Sequence, residues 1–152
     1  MGVNALLAEL GKHSRALLDT NIFSYHLSDH PRYSALTSAI LERIEAGALA
    51  GVTTTLTLAE LLTSPAKAGD ERALADYELF LTSFPNLEIV PLDNAVARAT
   101  ALVRAATGLR TPDAIQIAAA RVHQVGIILT NDKLWSARVT QPQVLLLDSY
   151  VD

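Results

Sequence analysis

The stretch from Arg110 to Asp132 constrains the fold more than any other. Thr111 is a good helix N-cap, Pro112 suits a first helical position, and Asp113 follows in the first turn. Ile115, Ala118, Ala119 and Val122 then recur at the spacing of one apolar helix face. An apolar run over 126–129 reads as a buried strand, and it ends in Thr130, Asn131 and Asp132. One helix therefore begins with an acid, and the next strand ends with one. In an open parallel α/β sheet, strand C-termini and the helix N-termini that follow them share one edge, where ligands bind. Asp113 and Asp132 are expected to meet at that edge.

The remaining chain alternates in the same way. Residues 1–14 read as a short helix or lead-in with Leu6, Leu7 and Leu10 along one side. A short buried strand over 15–19 ends in Asp19, Thr20 and Asn21, which also open a helix through Ile22, Phe23 and Tyr25. Polar residues after a strand are ordinary N-caps, so Asp19 has a structural role available. His26 and His30 have a spacing that binds zinc on a helix. Ser28, Asp29 and Pro31 interrupt a helix there and no third ligand is near, so a loop is expected.

A helix is predicted over 33–46, with Leu36, Ile40, Leu41 and Ile44 inward and Gly47 as its stop. A strand follows over 49–54, then a helix over 55–64 ended by Pro65. Glu60 is a lone acid in that apolar and hydroxyl-rich helix. It suits a capping box with Thr57 and equally a carboxylate held near the sheet edge. An amphipathic helix over 71–84 turns Leu74, Tyr77, Leu81 and Phe84 inward. A third strand over 87–92 precedes Asp93, read as the cap of a helix over 95–106 that Gly108 ends. A short helix over 133–137 and a strand over 143–147 close the chain, with Asp148 as a cap or solvated residue. This alternation predicts α/β architecture, a parallel sheet with helices on both faces, as a single domain over 1–152.

Composition narrows the function. Half the residues are hydrophobic, which excludes a disordered chain. Cysteine is absent, so no thiol nucleophile, disulfide framework or Cys-containing zinc site exists. No apolar run approaches the ~20 residues of a membrane span, and the N-terminus lacks the pattern of a secretory signal. A cytoplasmic protein is expected. Acidic residues outnumber basic ones, 16 to 12. That counts against holding nucleic acid by charge alone, less so against an enzyme whose acidic site is neutralised by metal.

Four acids fall at comparable places: Asp19, Glu60, Asp113 and Asp132. Each lies at a strand end or early in a helix. Crowded carboxylates repel and raise one another's pKa values, so such a cluster destabilises a fold unless a cation joins it. Mg²⁺ or Mn²⁺, hard ions that take oxygen ligands and retain water, are the natural guests, and they suit phosphate chemistry.

The segments around Asp19-Thr20-Asn21, Glu60, Pro112-Asp113-Ala114 and Thr130-Asn131-Asp132 resemble, in order and spacing, the four motifs of the PIN-domain nucleases. The size is most similar to the VapC toxins of toxin–antitoxin pairs. The resemblance spans roughly residues 15–147. It implies a three-layer α/β/α sandwich with a parallel sheet of about five strands. It also implies Mg²⁺- or Mn²⁺-dependent cleavage of RNA, leaving a 5′-phosphate and a 3′-hydroxyl. Asp19 and Asp113 would be the principal metal ligands, Asp132 a supporting acid, and Glu60 the residue that orients or activates water. Asn21 and Thr130 would hydrogen-bond the carboxylates. Arg110 and Lys133, beside the acids, are candidates to hold RNA phosphates by position alone. A homodimer and a cognate antitoxin are the implied partners.

Two other readings compete. An aspartyl phosphatase with Asp19 as nucleophile wants a second acid two residues on, where this chain has Asn21. A non-catalytic PIN-like module that binds RNA or protein gains nothing from clustered carboxylates.

Overall fold

The computed structural model describes residues 2–152; Met1, the first residue of the expected lead-in, lies outside the described residues. Five parallel strands form one sheet: β1 (Arg15–Leu18), β2 (Ala50–Thr54), β3 (Leu87–Val90), β4 (Ile127–Thr130) and β5 (Gln143–Leu146), in the order β3-β2-β1-β4-β5. The chain winds outward from β1 to β3, then returns to the other side of β1 for β4 and β5. The order reverses between β1 and β4, which is where an open parallel sheet leaves a crevice at its carboxyl edge.

Strand pleating sends successive side chains to opposite faces. Ala16 and Leu18 of β1, with Ile127 and Leu129 of β4, join one core; Leu17 and Ile128 join the other. The first core contains α1 (Gly2–Leu10), α2 (Thr20–Leu27) and α3 (Ser34–Glu45), with Leu61 of α4 (Thr55–Lys67) and Leu81 of α5 (Glu71–Ser83). The second contains α6 (Asn94–Thr107), α7 (Thr111–Val122) and Trp135 of α8 (Lys133–Arg138). A 3₁₀ turn over Leu147–Tyr150 closes the chain. This is the expected parallel α/β/α layering. No helix among the described residues is long and apolar enough to cross a membrane.

Several expectations need local correction. Arg110, in extended backbone, is the N-cap of α7, so Thr111 is already helical and Pro112 stands one place later than expected. Nor does α7 expose a polar back. Residues 114–120 are all buried, while Val122, assigned to the apolar face, is 38% exposed. Alanine at 118, 119 and 120 lets this helix be enclosed by the sheet on one side and α6 on the other. Asp113 therefore lies in a helix that follows another helix, across a link where Gly108 takes φ 72°. Pro65 does not end α4; its ring is buried and the helix runs one half-turn further to Lys67. A proline removes one backbone donor, and the end of the helix is still closed by Ala68 donating to the Ser64 carbonyl, with Asp70 donating to the Pro65 carbonyl in the turn beyond.

The N-terminal helix is part of the core rather than a loose lead-in. Leu6 and Leu10 are fully buried against α3 and the closing 3₁₀ turn, whereas Leu7 is only half-buried. Emptying such a site removes both transfer energy and packing, about 2–5 kcal/mol. Leu10→Ala is expected to destabilise the protein by that amount in urea unfolding, and Leu7→Ala by distinctly less. Equal, small effects would return the helix to the status of an appendage.

Candidate active site

Asp19 leaves β1 in extended backbone and becomes the N-cap of α2. Its Oδ1 accepts a hydrogen bond from the Thr20 N–H at 2.8 Å. Its Oδ2 accepts from the Thr130 hydroxyl at 2.7 Å, and its own N–H donates to the Leu129 carbonyl at 3.0 Å. One carboxylate thus ties β1, α2 and the end of β4 together. Thr130 is fully buried. Having given its hydrogen to Asp19, it accepts from the Asp132 N–H at 3.1 Å and the Asn21 amide at 3.5 Å. Asn21 must therefore turn its nitrogen to Thr130, which leaves its Oδ1 a buried acceptor without a partner.

Glu60 forms no capping box with Thr57. Thr54 is the N-cap of α4, its hydroxyl accepting from the Thr57 N–H at 3.3 Å. Glu60 Oε1 accepts instead from the Thr20 hydroxyl at 2.7 Å. Behind that bond runs a chain of polar groups that were not singled out from the sequence. Thr54 donates to Gln116 Oε1 at 3.0 Å, and Gln116 Nε2 donates to the Thr57 hydroxyl at 2.8 Å. The Thr57 and Thr20 hydroxyls lie 3.0 Å apart. Since Thr20 spends its hydrogen on Glu60, Thr57 donates to Thr20. Every donor in the series then points toward Glu60, and aligned hydrogen bonds polarise one another. The available signal was Gln116 itself, the one long polar side chain in the apolar middle of α7.

Asp19, Asn21, Glu60 and Asp113 line one cavity of about 260 Å³, together with Gln116. Asp132 is not in this lining. Its Oδ1 accepts from the Leu134 N–H at 2.9 Å and caps α8. Its charge still reaches Asp113. Burial raises the Asp113 pKa and the neighbouring Asp132 carboxylate adds to the rise. Arg110 opposes it, with Nε 3.8 Å from Asp113 Oδ2. The buried Trp135 indole N–H, short of hydrogen-bond geometry, also favours the charged form. Asp19 is pushed up to about 7, chiefly by burial, against the two hydrogen bonds it accepts, with the Glu60 and Asp113 charges adding to the rise.

Other candidates stand apart from this cavity. Lys133 lies 3.8 Å from Asp148, which also accepts from the Tyr33 hydroxyl at 2.6 Å and pairs with Arg32 at 3.4 Å. Asp148 is thus a surface hub rather than a helix cap or free residue. His26 sits in the last turn of α2 rather than a loop, its ring against Phe80. His30 accepts from the Arg32 N–H at 3.1 Å.

Among the described residues, no three Asp, Glu or His side chains stand close enough to hold a metal ion as a set. The Asp19 and Asp113 carboxylates that line the cavity match an ion that takes one or two carboxylates and keeps its water, the habit of Mg²⁺. The donors fit: only oxygen is offered, by two carboxyls whose ionisation burial opposes and by an amide oxygen lacking a hydrogen bond.

The Asp19 shift sets a pH dependence. Its carboxyl titrates near 3.8 when unfolded and near 7 when folded, so between these values the folded state binds more protons. The contribution of Asp19 to metal-free stability is then fully present below pH ~4 and is lost as pH rises through about 7. Asp19→Asn should remove most of that slope and raise metal-free stability at pH 8 by at most about 4 kcal/mol. Urea unfolding in EDTA at pH 5 and pH 8 measures both; equal slopes in the two proteins would contradict the assignment.

The sequence matches the PIN domain family over residues 16–139. No curated protein matches it. Among solved structures, it is similar to VapBC2 from Rickettsia felis bound to a promoter DNA fragment, with TM-score 0.69 and 19% identity over 87% of this chain and 98% of that one. DNA-bound VapBC from Salmonella typhimurium gives TM-score 0.68 and 22% identity over 88% and 98%. A toxin–antitoxin complex from Klebsiella pneumoniae gives 0.62 and 21% over 87% and 97%. The matched segment runs from the start of β1 through α8 and takes in all four acids, and on this evidence the chain belongs to the PIN domain family.

Proposed function

We propose that this PIN-domain protein is a metal-dependent endoribonuclease and the toxin of a toxin–antitoxin pair. The observation that carries the reading is the convergence of Asp19, Glu60 and Asp113 on one oxygen-lined cavity at the sheet's switch point. Asp19 and Asp113 would hold Mg²⁺ or Mn²⁺, with Asn21 Oδ1 as a further oxygen beside them. When bound, such an ion supplies positive charge to the scissile phosphate and lowers the pKa of water.

The chain's own groups do the rest. Thr130 and the Thr20 N–H fix both Asp19 oxygens, so the carboxylate cannot rotate away from the crevice. Glu60 has one oxygen held by Thr20 and is otherwise exposed, free to take a proton from the attacking water. Water adds to phosphorus and the P–O3′ bond breaks, leaving a 5′-phosphate and a 3′-hydroxyl. Asp132 stands outside the cavity, and its charge disfavours ionised Asp113 while adding to the negative field that a bound cation would relieve. Arg110, 87% exposed beside Asp113, is placed to meet a phosphate.

The toxin role is supported by the solved structures of similar fold, among them the toxin–antitoxin complex from Klebsiella pneumoniae. By that likeness the partner of this chain would be a separate antitoxin; the family resemblance further implies that the antitoxin covers the acidic cavity and that the chain pairs with a second copy of itself in the cytoplasm.

Purified protein should cut cellular RNA into discrete 5′-phosphorylated fragments with Mg²⁺ or Mn²⁺ and not with EDTA. Asp113→Asn should abolish the cutting, and Glu60→Gln should slow it about 100-fold or more. Undiminished cutting in EDTA, or by Asp113→Asn, contradicts the reading.

A further inference from the structure

A second cavity, about 220 Å³, adjoins the acidic one and shares Thr20, Ser24 and Glu60 with it. It lies where α2, α4 and α5 meet. Residues 20, 24, 27 and 28 bring one face of α2 to it, and residues 60, 61 and 64 bring α4. Leu27 and Leu61 give it apolar surface, and Tyr77 of α5 adds an aromatic ring. The rest is hydroxyl, apart from the Glu60 carboxylate. Among the described residues, the hydroxyls of Ser24, Ser64 and Tyr77 make no hydrogen bond within the chain. Ser28 makes only a long one, 3.4 Å to the Tyr25 carbonyl.

This lining has a definite chemical preference. It contains no lysine or arginine, and its one formal charge is Glu60. A phosphate would be repelled. A neutral group with hydrogen-bonding edges and a flat apolar face is accommodated, and a nucleoside is such a group. A strand whose scissile phosphate lies in the acidic cavity must continue past Glu60, and this cavity is contiguous there. Free serine hydroxyls can both donate to and accept from a ribose 2′-hydroxyl, the group that distinguishes RNA from DNA.

We infer that the hydroxyl-lined cavity between α2, α4 and α5 holds the nucleoside adjoining the scissile phosphate and reads its 2′-hydroxyl, so that the site selects RNA over DNA. This rests on the nuclease reading above. The test uses a short RNA with one cleaved bond and a series of analogues, each 2′-deoxy at a single position near that bond. One flanking position should lose about tenfold in kcat/KM, the size expected for one lost hydrogen bond. The Ser24→Ala/Ser64→Ala protein should lose a similar factor on the all-ribose strand and show no further loss on that analogue. Tyr77→Ala should raise KM more than it lowers kcat. The analogue series needs no protein variant, so a misfolded variant leaves the inference open to refutation. If no single deoxy position matters, or the same loss persists undiminished in the folded serine variant, the inference is overturned while the nuclease reading stands. Failure to cut the all-ribose strand overturns both.

Discussion

Asp19 buries a carboxylate at the crevice between β1 and β4, and both the fold and the site depend on how that charge is compensated. Burial works against ionisation, and the Glu60 and Asp113 carboxylates work against it further. Two hydrogen bonds, from Thr130 and the Thr20 N–H, favour the anion but leave the carboxyl far above its ordinary range. The same two bonds join β1 to β4 and to α2. The protein therefore joins its central strands through a group that below about pH 7 stays largely protonated unless a positive charge is brought to it.

Donor counting extends this logic outward. Thr130 can give its hydrogen once, so Asn21 is forced to present an unpartnered oxygen beside the carboxylates. Thr20 can give its hydrogen once, so the series from Thr54 through Gln116 and Thr57 runs one way and ends on Glu60. Both Asn21 and Glu60 are residues that line the same cavity. With only the exposed Arg110 beside Asp113 to offset its acids among the described residues, the site leaves negative charge for an external cation to compensate. The adjoining cavity has a different character, with Glu60 its one formal charge and, among the described residues, the hydroxyls of Ser24, Ser64 and Tyr77 unbonded within the chain.

Much of this was legible because its signals are local. The alternation of apolar runs with capped helices marked the parallel sheet, and the acids stood at the element ends where such a sheet collects ligands. What was not legible depended on pairing across distance. Whether Glu60 served Thr57 or the sheet edge could not be settled within α4, since its partner, Thr20, lies forty residues away. Gln116, a polar residue within α7, takes its role only from Thr54 and Thr57 of other segments. Asp132 had the right position in the chain, yet its first commitment is to cap α8. Periodicity placed α7 with one apolar face, because small alanines on the other sides carry no strong hydrophobic signal although they permit full enclosure. Pro65 broke the expected pattern of α4, since a buried ring and the turn beyond it outweigh one lost donor.

The central claim is that a divalent ion completes the charge at Asp19. Calorimetric titration of the metal-free protein with Mn²⁺, in buffers of differing ionisation heat, measures it most directly. Metal ligands must be deprotonated, so binding near pH 6 should expel nearly a full proton from Asp19, and the release should vanish near pH 8.5. Asp19→Asn should lose the proton release and most of the affinity. Mn²⁺ binding that is as tight in Asp19→Asn, or that releases no proton at pH 6, would contradict the account.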